Sequence, residues 1–129
     1  MNPLVYVAGP YSAKTREEVK DNVRRAELEG MFLLQNGMIP IIPHKITSDW
    51  DVWGPLADWE HHNWLYNFCL PLLLRCDALY TVEGWKESKG ANIEHRWAIS
   101  KNIPVLYTIA EARQYMDTYL KRREEIWIP

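Results

Sequence analysis

A single carboxylate lies just behind a short run of small residues in the second half of the chain. Ser88, Gly90 and Ala91 open a helical pattern that continues to Ala98, and Glu94 lies in its first turns. The first backbone N–H groups of a helix have no partner within it, so they can bind an anion, and Ser88 can add a hydroxyl donor. A bound phosphate would then lie a few ångströms to about 8 Å from the Glu94 carboxylate.

That separation suits a nucleotide whose 5′-phosphate lies on the helix and whose C1′ lies near Glu94. A carboxylate beside an anomeric carbon can act as a nucleophile or stabilise an oxocarbenium-like centre. Two plainer explanations stay open. Ser88 could merely cap its helix, and Glu94 could be a surface residue that the helix dipole favours.

Strands and helices that could position these residues alternate along the chain. Short apolar runs predict strands at residues 4–8, 39–43, 78–82 and 103–107, the second at a sheet edge because of its prolines, and a last helix at 110–123. Between the strands we predict helices, the first from an N-cap at Thr15, three residues before Glu18, to Asn36-Gly37, and another over residues 58–74 with a kink at Pro71. This alternation predicts an α/β fold in one domain, residues 1–129, with a parallel sheet covered on both faces. Right-handed crossovers put every strand-to-helix loop at one edge of the sheet, where ligands of such folds bind.

Four loops at that edge contain the remaining candidates for a substrate site. The irregular stretch 45–57 is rich in tryptophan, and a long loop of this kind is more often a binding segment than filler. A single histidine at a strand end can bind a ligand, although such a residue is more often structural. The predicted substrate-binding residues are Gly9, Pro10, Tyr11, His44, Trp50, Gly84, Trp85, Ser88, Gly90 and Ala91.

The composition excludes several classes of function. The chain has 129 residues and a net charge of −2, so no overall basic field indicates a nucleic-acid polymer or a membrane as partner. Cys69 and Cys76 are seven residues apart on a predicted helix, about 10 Å between Cα atoms, which is too far for a disulfide. With no signal peptide and no membrane-spanning run, we expect a cytoplasmic protein.

Known catalytic patterns of other kinds are missing from the sequence. His61 and His62, with Asp58 or Glu60, match neither HExxH nor a Cys/His ligand spacing, so we predict no metal. No nucleophile elbow and no GxxxxGK[ST] loop occurs. We predict no cofactor.

Several short motifs together resemble the nucleoside 2-deoxyribosyltransferase superfamily, nearest to its small phage and bacterial branch. The motifs span about residues 4–107 and are Val5-Tyr6-Val7-Ala8-Gly9-Pro10, Pro43-His44, Cys76-Asp77, and Gly84-Trp85 with Ser88-x-Gly90-Ala91-x-x-Glu94. The resemblance implies a flavodoxin-like three-layer sandwich with a four- to five-stranded parallel sheet. It also implies a homodimer or higher homo-oligomer with sites near the subunit contacts.

The resemblance also implies roles for three residues. Glu94 matches the nucleophile that attacks C1′, and Tyr6 matches the tyrosine that positions it. Ser88 matches a serine that binds phosphate in relatives hydrolysing nucleoside 5′-monophosphates, whereas transferases of free nucleosides tend to have an aspartate there. The expected function is therefore an N-glycosidase acting on a nucleoside or deoxynucleoside 5′-monophosphate.

One position departs from the family pattern. Cys69 stands where the family usually has an aspartate that contacts or protonates the leaving base, and general acid help is typically worth 10²–10⁴-fold. Asp58, Glu60, His61 or His62 could replace it. Two alternatives therefore stay open: a nucleotide-binding or sequestering protein that has lost the chemistry, and a nucleoside 2-deoxyribosyltransferase.

Overall fold

The computed structural model describes residues 2–48, 50 and 61–127, in which strands and helices alternate. The elements in chain order are β1 (Leu4–Ala8), α1 (Arg16–Gln35), β2 (Ile39–Ile41), α2 (Pro43–Ile46), α3 (His61–Trp64), a π-helical segment (Leu65–Cys69), α4 (Leu70–Leu73), β3 (Ala78–Thr81), a 3₁₀ turn (Trp85–Glu87), α5 (Lys89–Ser100), β4 (Val105–Leu106) and α6 (Ile109–Trp127).

The four strands form one parallel sheet in the order β2-β1-β3-β4. Tyr6 in β1 lies between Ile41 of β2 and Leu79 of β3. This is the flavodoxin-like order, in which the chain switches direction across the sheet beside β1 and ligands bind at the carboxyl ends of the strands. The predicted α/β class and flavodoxin-like three-layer arrangement are confirmed.

Alternate residues of β1 face the two helical layers. Val5 and Val7 belong to the core with α1 and α6, which contribute buried residues such as Leu33 and Met116. Tyr6 and its neighbour Ala8 belong to the opposite core with the π-helical segment, α4 and α5. A central strand buried on both faces explains why residues 4–8 are almost continuously apolar.

The predicted boundaries of the first helix are confirmed. The Thr15 hydroxyl accepts the Glu18 N–H at 3.1 Å, which satisfies one of the unpaired donors of the first turn. Asn36 ends α1, and Gly37 follows with φ of 88°, a left-handed conformation that glycine adopts without steric cost.

The second strand is shorter than the sequence predicts. It ends at Ile41, and Pro43 begins the short helix α2, so His44 lies on a helix and not at the end of a strand. A proline ring fixes φ near its helical value and its missing N–H has no partner in a first helical turn, which favours helix initiation here. The predicted edge position of this strand is confirmed.

The predicted kink near Pro71 takes the form of a π-helical segment. Pro71 has no N–H for the carbonyl of Asn67, and the turn just before it widens so that the Leu70 N–H reaches the Leu65 carbonyl. Cys69 ends this segment, whereas Cys76 follows α4 in a turn and is not on the helix as predicted. Both thiols are free.

Among the described helices none combines the length and the apolar character needed to cross a membrane.

Candidate active site

A buried tyrosine and a buried glutamate form the centre of the candidate site. Tyr6, in the middle of β1, is fully buried, and its hydroxyl donates to Oε2 of Glu94 on α5. Glu94 itself is only 4% exposed. The surface explanation for Glu94 is therefore wrong, since this carboxyl lies in the interior and is held from the sheet.

Burial changes the proton affinity of both groups. It raises the pKa of Glu94 to about 8, and the hydrogen bond from Tyr6 acts in the opposite direction by stabilising the carboxylate. The pKa of Tyr6 is well above its ordinary value, first because of burial and then because of Glu94. Tyr6 is thus a neutral donor at neutral pH, and roughly one-tenth of Glu94 is ionised at pH 7.

Cys69 lies behind this pair and does not reach the substrate side. Its thiol is fully buried and is a hydrogen-bonding neighbour of the Tyr6 hydroxyl. Burial, and then the nearby Glu94, raise the pKa of the thiol far above its ordinary value. Cys69 is therefore a neutral packing partner of Tyr6, and it is not among the residues that line the adjoining cavity.

A cavity of about 510 Å³ opens beside Glu94 at the carboxyl edge of the sheet. The loop after β1 lines it with Gly9, Pro10 and Tyr11, and α2 lines it with His44. The volume lies within the usual range for small-molecule sites. These four predicted residues are brought together with Glu94.

The start of α5 lines the same cavity. Gly84, Ser88, Gly90 and Ala91 all face it, as the sequence predicts. The Ser88 hydroxyl oxygen accepts the Ala91 N–H at 3.2 Å, so Ser88 does cap the helix. Capping uses only the lone pairs of this hydroxyl, and its proton stays available to a ligand.

The loop before α5 is fixed by a residue that the sequence reasoning did not identify. The side-chain amide nitrogen of Asn92 lies 3.2, 2.8 and 2.7 Å from the carbonyl oxygens of Trp85, Lys86 and Ser88. These contacts hold the 3₁₀ turn against the first turn of α5. An asparagine four residues after a predicted cap is the signal that could have indicated it.

Aromatic rings form one wall of the cavity. The Tyr11 ring centroid lies 5.0 Å from that of Trp64 and 5.5 Å from that of His44. Nε2 of His44 donates to the Gly9 carbonyl at 2.9 Å. The Trp64 indole N–H donates to the Thr47 hydroxyl at 2.8 Å, which ties α3 to the end of α2. A wall of this kind can stack a flat base.

Trp50 and Trp85, predicted to bind substrate, do not line this cavity. Trp50 is 40% exposed and packs against Phe68, with ring centroids 6.4 Å apart. Trp85 packs on the other side of its turn against His95, at 4.5 Å between centroids. Many tryptophans in one stretch indicate aromatic packing, but they do not indicate which ring faces the ligand.

Two further lining residues were missed or left as alternatives in the sequence. His62 and Tyr66 both line the cavity, and their ring centroids are 4.5 Å apart. Asp58, Glu60 and the side chain of His61 lie outside the described residues. Within residues 2–48, 50 and 61–127, no group of three or more histidine, cysteine or acidic side chains is arranged to hold a metal.

Residues 3–108 match a family model described as "Domain of unknown function (DUF7768)". The chain belongs to this family. A search for curated relatives found no match. The matched region contains all four strands together with Tyr6, Ser88 and Glu94, and it ends just before α6. The core of the family domain thus coincides with the sheet and the candidate site.

Proposed function

We propose that the protein is an N-glycosidase that hydrolyses a nucleoside or deoxynucleoside 5′-monophosphate, with Glu94 as the nucleophile. One observation carries the proposal: a buried carboxyl, held by the Tyr6 hydroxyl, faces the same cavity as the N-terminus of α5. The two features supply a nucleophile for C1′ and an anion site for the phosphate.

The start of α5 provides the donors for the phosphate. The N–H groups of Ala91 and Asn92 are already bonded to Ser88, which leaves those of Lys89 and Gly90 as the first-turn donors. The Ser88 hydroxyl and the exposed ammonium group of Lys89, which also lines the cavity, complete the set. The helix dipole adds to the attraction for a dianion.

The reaction proceeds in two displacements at C1′. An ionised Glu94 oxygen bonds to C1′ as the C1′–N bond breaks, and the base leaves with the bonding electrons and takes up a proton. Water then attacks C1′, loses a proton, and releases the Glu94 carboxylate and the sugar 5-phosphate. Tyr6 orients Glu94 and favours its ionised form, which is the form that reacts.

We further propose that His62 supplies the proton to the leaving base. Of the side chains considered as replacements for the missing aspartate, His62 is the one described in the structure, and it lines the cavity beside Tyr66. Histidine is the side chain that most often serves as a general acid in catalysis.

The direct test is incubation of the protein with 5′-monophosphates of all common bases, as ribose and deoxyribose forms, at pH 8. We expect free base and sugar 5-phosphate in equal amounts from at least one substrate, with no release by Glu94→Gln. Gln keeps the size of the side chain and an acceptor for Tyr6. No base release from any member of the panel would overturn the proposal.

A second candidate is a protein that binds a nucleotide without cleaving it. The neutral, buried Cys69 and the mostly protonated Glu94 favour this candidate at neutral pH. Calorimetry at pH 7 and pH 8.5 separates the two, because a binding protein returns the ligand unchanged at both values. The transferase alternative predicts base exchange between a free nucleoside and an added base, and Ser88 disfavours it.

We keep two further expectations as proposals. The cytoplasm suits a protein that uses free nucleotides and has two free thiols. A homodimer or higher homo-oligomer would give a mass by light scattering of at least twice the 15.3 kDa of one chain.

A further inference from the structure

A second cavity, also of about 510 Å³, lies between the start of α1 and α2. Among the residues that the structure describes, its lining contains five cationic side chains and one carboxylate, that of Glu27, whereas the chain as a whole has a net charge of −2. We call it the basic cavity. Its five cations are Lys14, Arg16, Lys20, Arg24 and Lys45.

Nearby carboxylates neutralise only part of this charge. Nζ of Lys45 lies 3.1 Å from Oε2 of Glu27, and Nη1 of Arg24 lies 3.3 Å from Oδ1 of Asp21 in an exposed pair. Lys14 and Lys20 form no ion pair within the part of the chain that the structure describes. Both side chains are exposed, so their charges are available to a ligand.

The stability of α1 does not explain these cations. Lys14 and Lys20 flank the first turn of a 20-residue helix, where the macrodipole disfavours positive charge. Glu17 and Glu18, in the same turn, already supply the favourable sign. Several cations that line one cavity together attract an anion such as a phosphate.

The basic cavity adjoins the cavity beside Glu94. Tyr11 lines both cavities, so the two spaces are adjacent at this residue. The Tyr11 carbonyl accepts the side-chain N–H of Asn22 at 3.1 Å, which holds the loop after β1 against α1.

We propose that the basic cavity is a second phosphate subsite, and that the ligand of this protein is a nucleotide that carries a second phosphate group in addition to the one bound at α5. This inference rests on the proposed function, since it takes the cavity beside Glu94 as the nucleotide site. A nucleoside 3′,5′-bisphosphate and a pyrophosphate-linked dinucleotide share this chemistry, and separate arms of the test distinguish them.

The test measures binding with the full-length Glu94→Gln variant, so that hydrolysis does not interfere. Calorimetry in about 50 mM salt compares, for each common base, the 5′-monophosphate, the 3′,5′-bisphosphate and the pyrophosphate-linked dinucleotide. We expect at least one doubly phosphorylated ligand to bind about 10-fold or more tightly than its monophosphate. The ratio of the two affinities should fall as salt rises, because salt screens exposed charges.

Two charge variants in the same background locate the effect. Lys14→Gln with Lys20→Gln should reduce the affinity ratio to about 1. Lys101→Gln with Lys121→Gln removes the same charge from exposed sites that line neither cavity, and should leave the ratio unchanged. An equal loss in both pairs would show a general charge effect and overturn the inference.

The inference also fails if no doubly phosphorylated ligand binds more tightly than its monophosphate for any base, including the case in which none binds. Its failure is separable from that of the proposed function. Wild-type protein that releases base from monophosphates without the affinity gain keeps the function and loses the second subsite. Conversely, tighter binding of a doubly phosphorylated ligand without any release of base by the wild type keeps the second subsite and overturns the proposed hydrolysis.

Discussion

Replacing Glu94 with glutamine should stabilise the protein increasingly as the pH rises from 5 to 8. The pKa of this carboxyl is about 8 in the folded protein, against an ordinary value of 4.5. Below about pH 4.5 both the folded and the unfolded chain hold the proton, so this group does not make the free energy of unfolding change with pH there. As the pH rises, the unfolded chain ionises first, so the stability that protonated Glu94 contributes is lost until the folded group ionises near pH 8.

The magnitude follows from the difference between the two pKa values. The gap is about 3.5 pKa units, and each unit corresponds to about 1.4 kcal/mol, so the full effect is about 5 kcal/mol above pH 8. Between pH 5 and pH 7 the change is roughly 2–3 kcal/mol. Glu94 is 4% exposed, so solvent does little to reduce these figures. They are large beside the 5–15 kcal/mol that stabilises most domains.

Urea unfolding at pH 5, 6, 7 and 8, followed by the fluorescence of the seven tryptophans, measures this effect. The free energy of unfolding of Glu94→Gln minus that of the wild type should rise by roughly 2–3 kcal/mol from pH 5 to pH 7 and level off above pH 8. Glu83→Gln, at an exposed glutamate, is the matched control and should show no such rise. A difference that is flat with pH would refute the reasoning, because Glu94 would then be ionised in the folded protein at ordinary pH.

Substitutions at three further positions test the site. Tyr6→Phe removes the donor that favours ionised Glu94, so kcat/KM at pH 7 should fall roughly 10-fold or more and its pH profile should move to higher pH. The profile is measured above pH 6.5, away from the phosphate pKa near 6, and a profile that does not move would contradict this role. His62→Gln should slow the release of natural bases about 100-fold. It should leave the hydrolysis rate of a 4-nitrophenyl glycoside 5-phosphate unchanged, because that leaving group needs no proton. An equal loss of rate on both substrates would indicate a structural role for His62. Ser88→Asp should keep the helix cap and the thermal midpoint of unfolding but weaken nucleotide binding at least 10-fold, because the carboxylate repels the phosphate. Ser88→Ala, in contrast, should lower the free energy of unfolding by about 1 kcal/mol. Unchanged nucleotide affinity in Ser88→Asp would mean that Ser88 only caps the helix.

The fold could be predicted because local signals and the overall architecture agree. The apolar run Leu4–Ala8 is a strand with the predicted bounds, and Thr15 caps α1 where the spacing to Glu18 indicates. Alternation of strands and helices then leaves few topologies. The prediction that the second strand extends to Pro43 is wrong for a local reason. The pattern of an apolar run does not show where a proline ends a strand and begins a helix.

The lining of the candidate site could be predicted for residues placed by strand ends, but not for residues whose lining depends on the direction of the side chain. The loop residues from Gly9 to Tyr11 and the start of α5 converge, because parallel strands bring their carboxyl ends to one edge. Trp50 and Trp85 occur in the expected loops but face elsewhere. The π-helical segment, which contains Tyr66 and Cys69, arises from the hydrogen bonding around Pro71 and has no period that a sequence pattern reveals.

The long separation between Tyr6 and Glu94 has a consequence for any attempt to move this site. The two residues are 88 positions apart, and their hydrogen bond exists only after β1 and α5 have packed together. Grafting residues 84–94 onto another protein would transfer the turn that we propose binds phosphate. The raised pKa of the glutamate would not be transferred, because it results from burial against the sheet and not from the sequence of the motif.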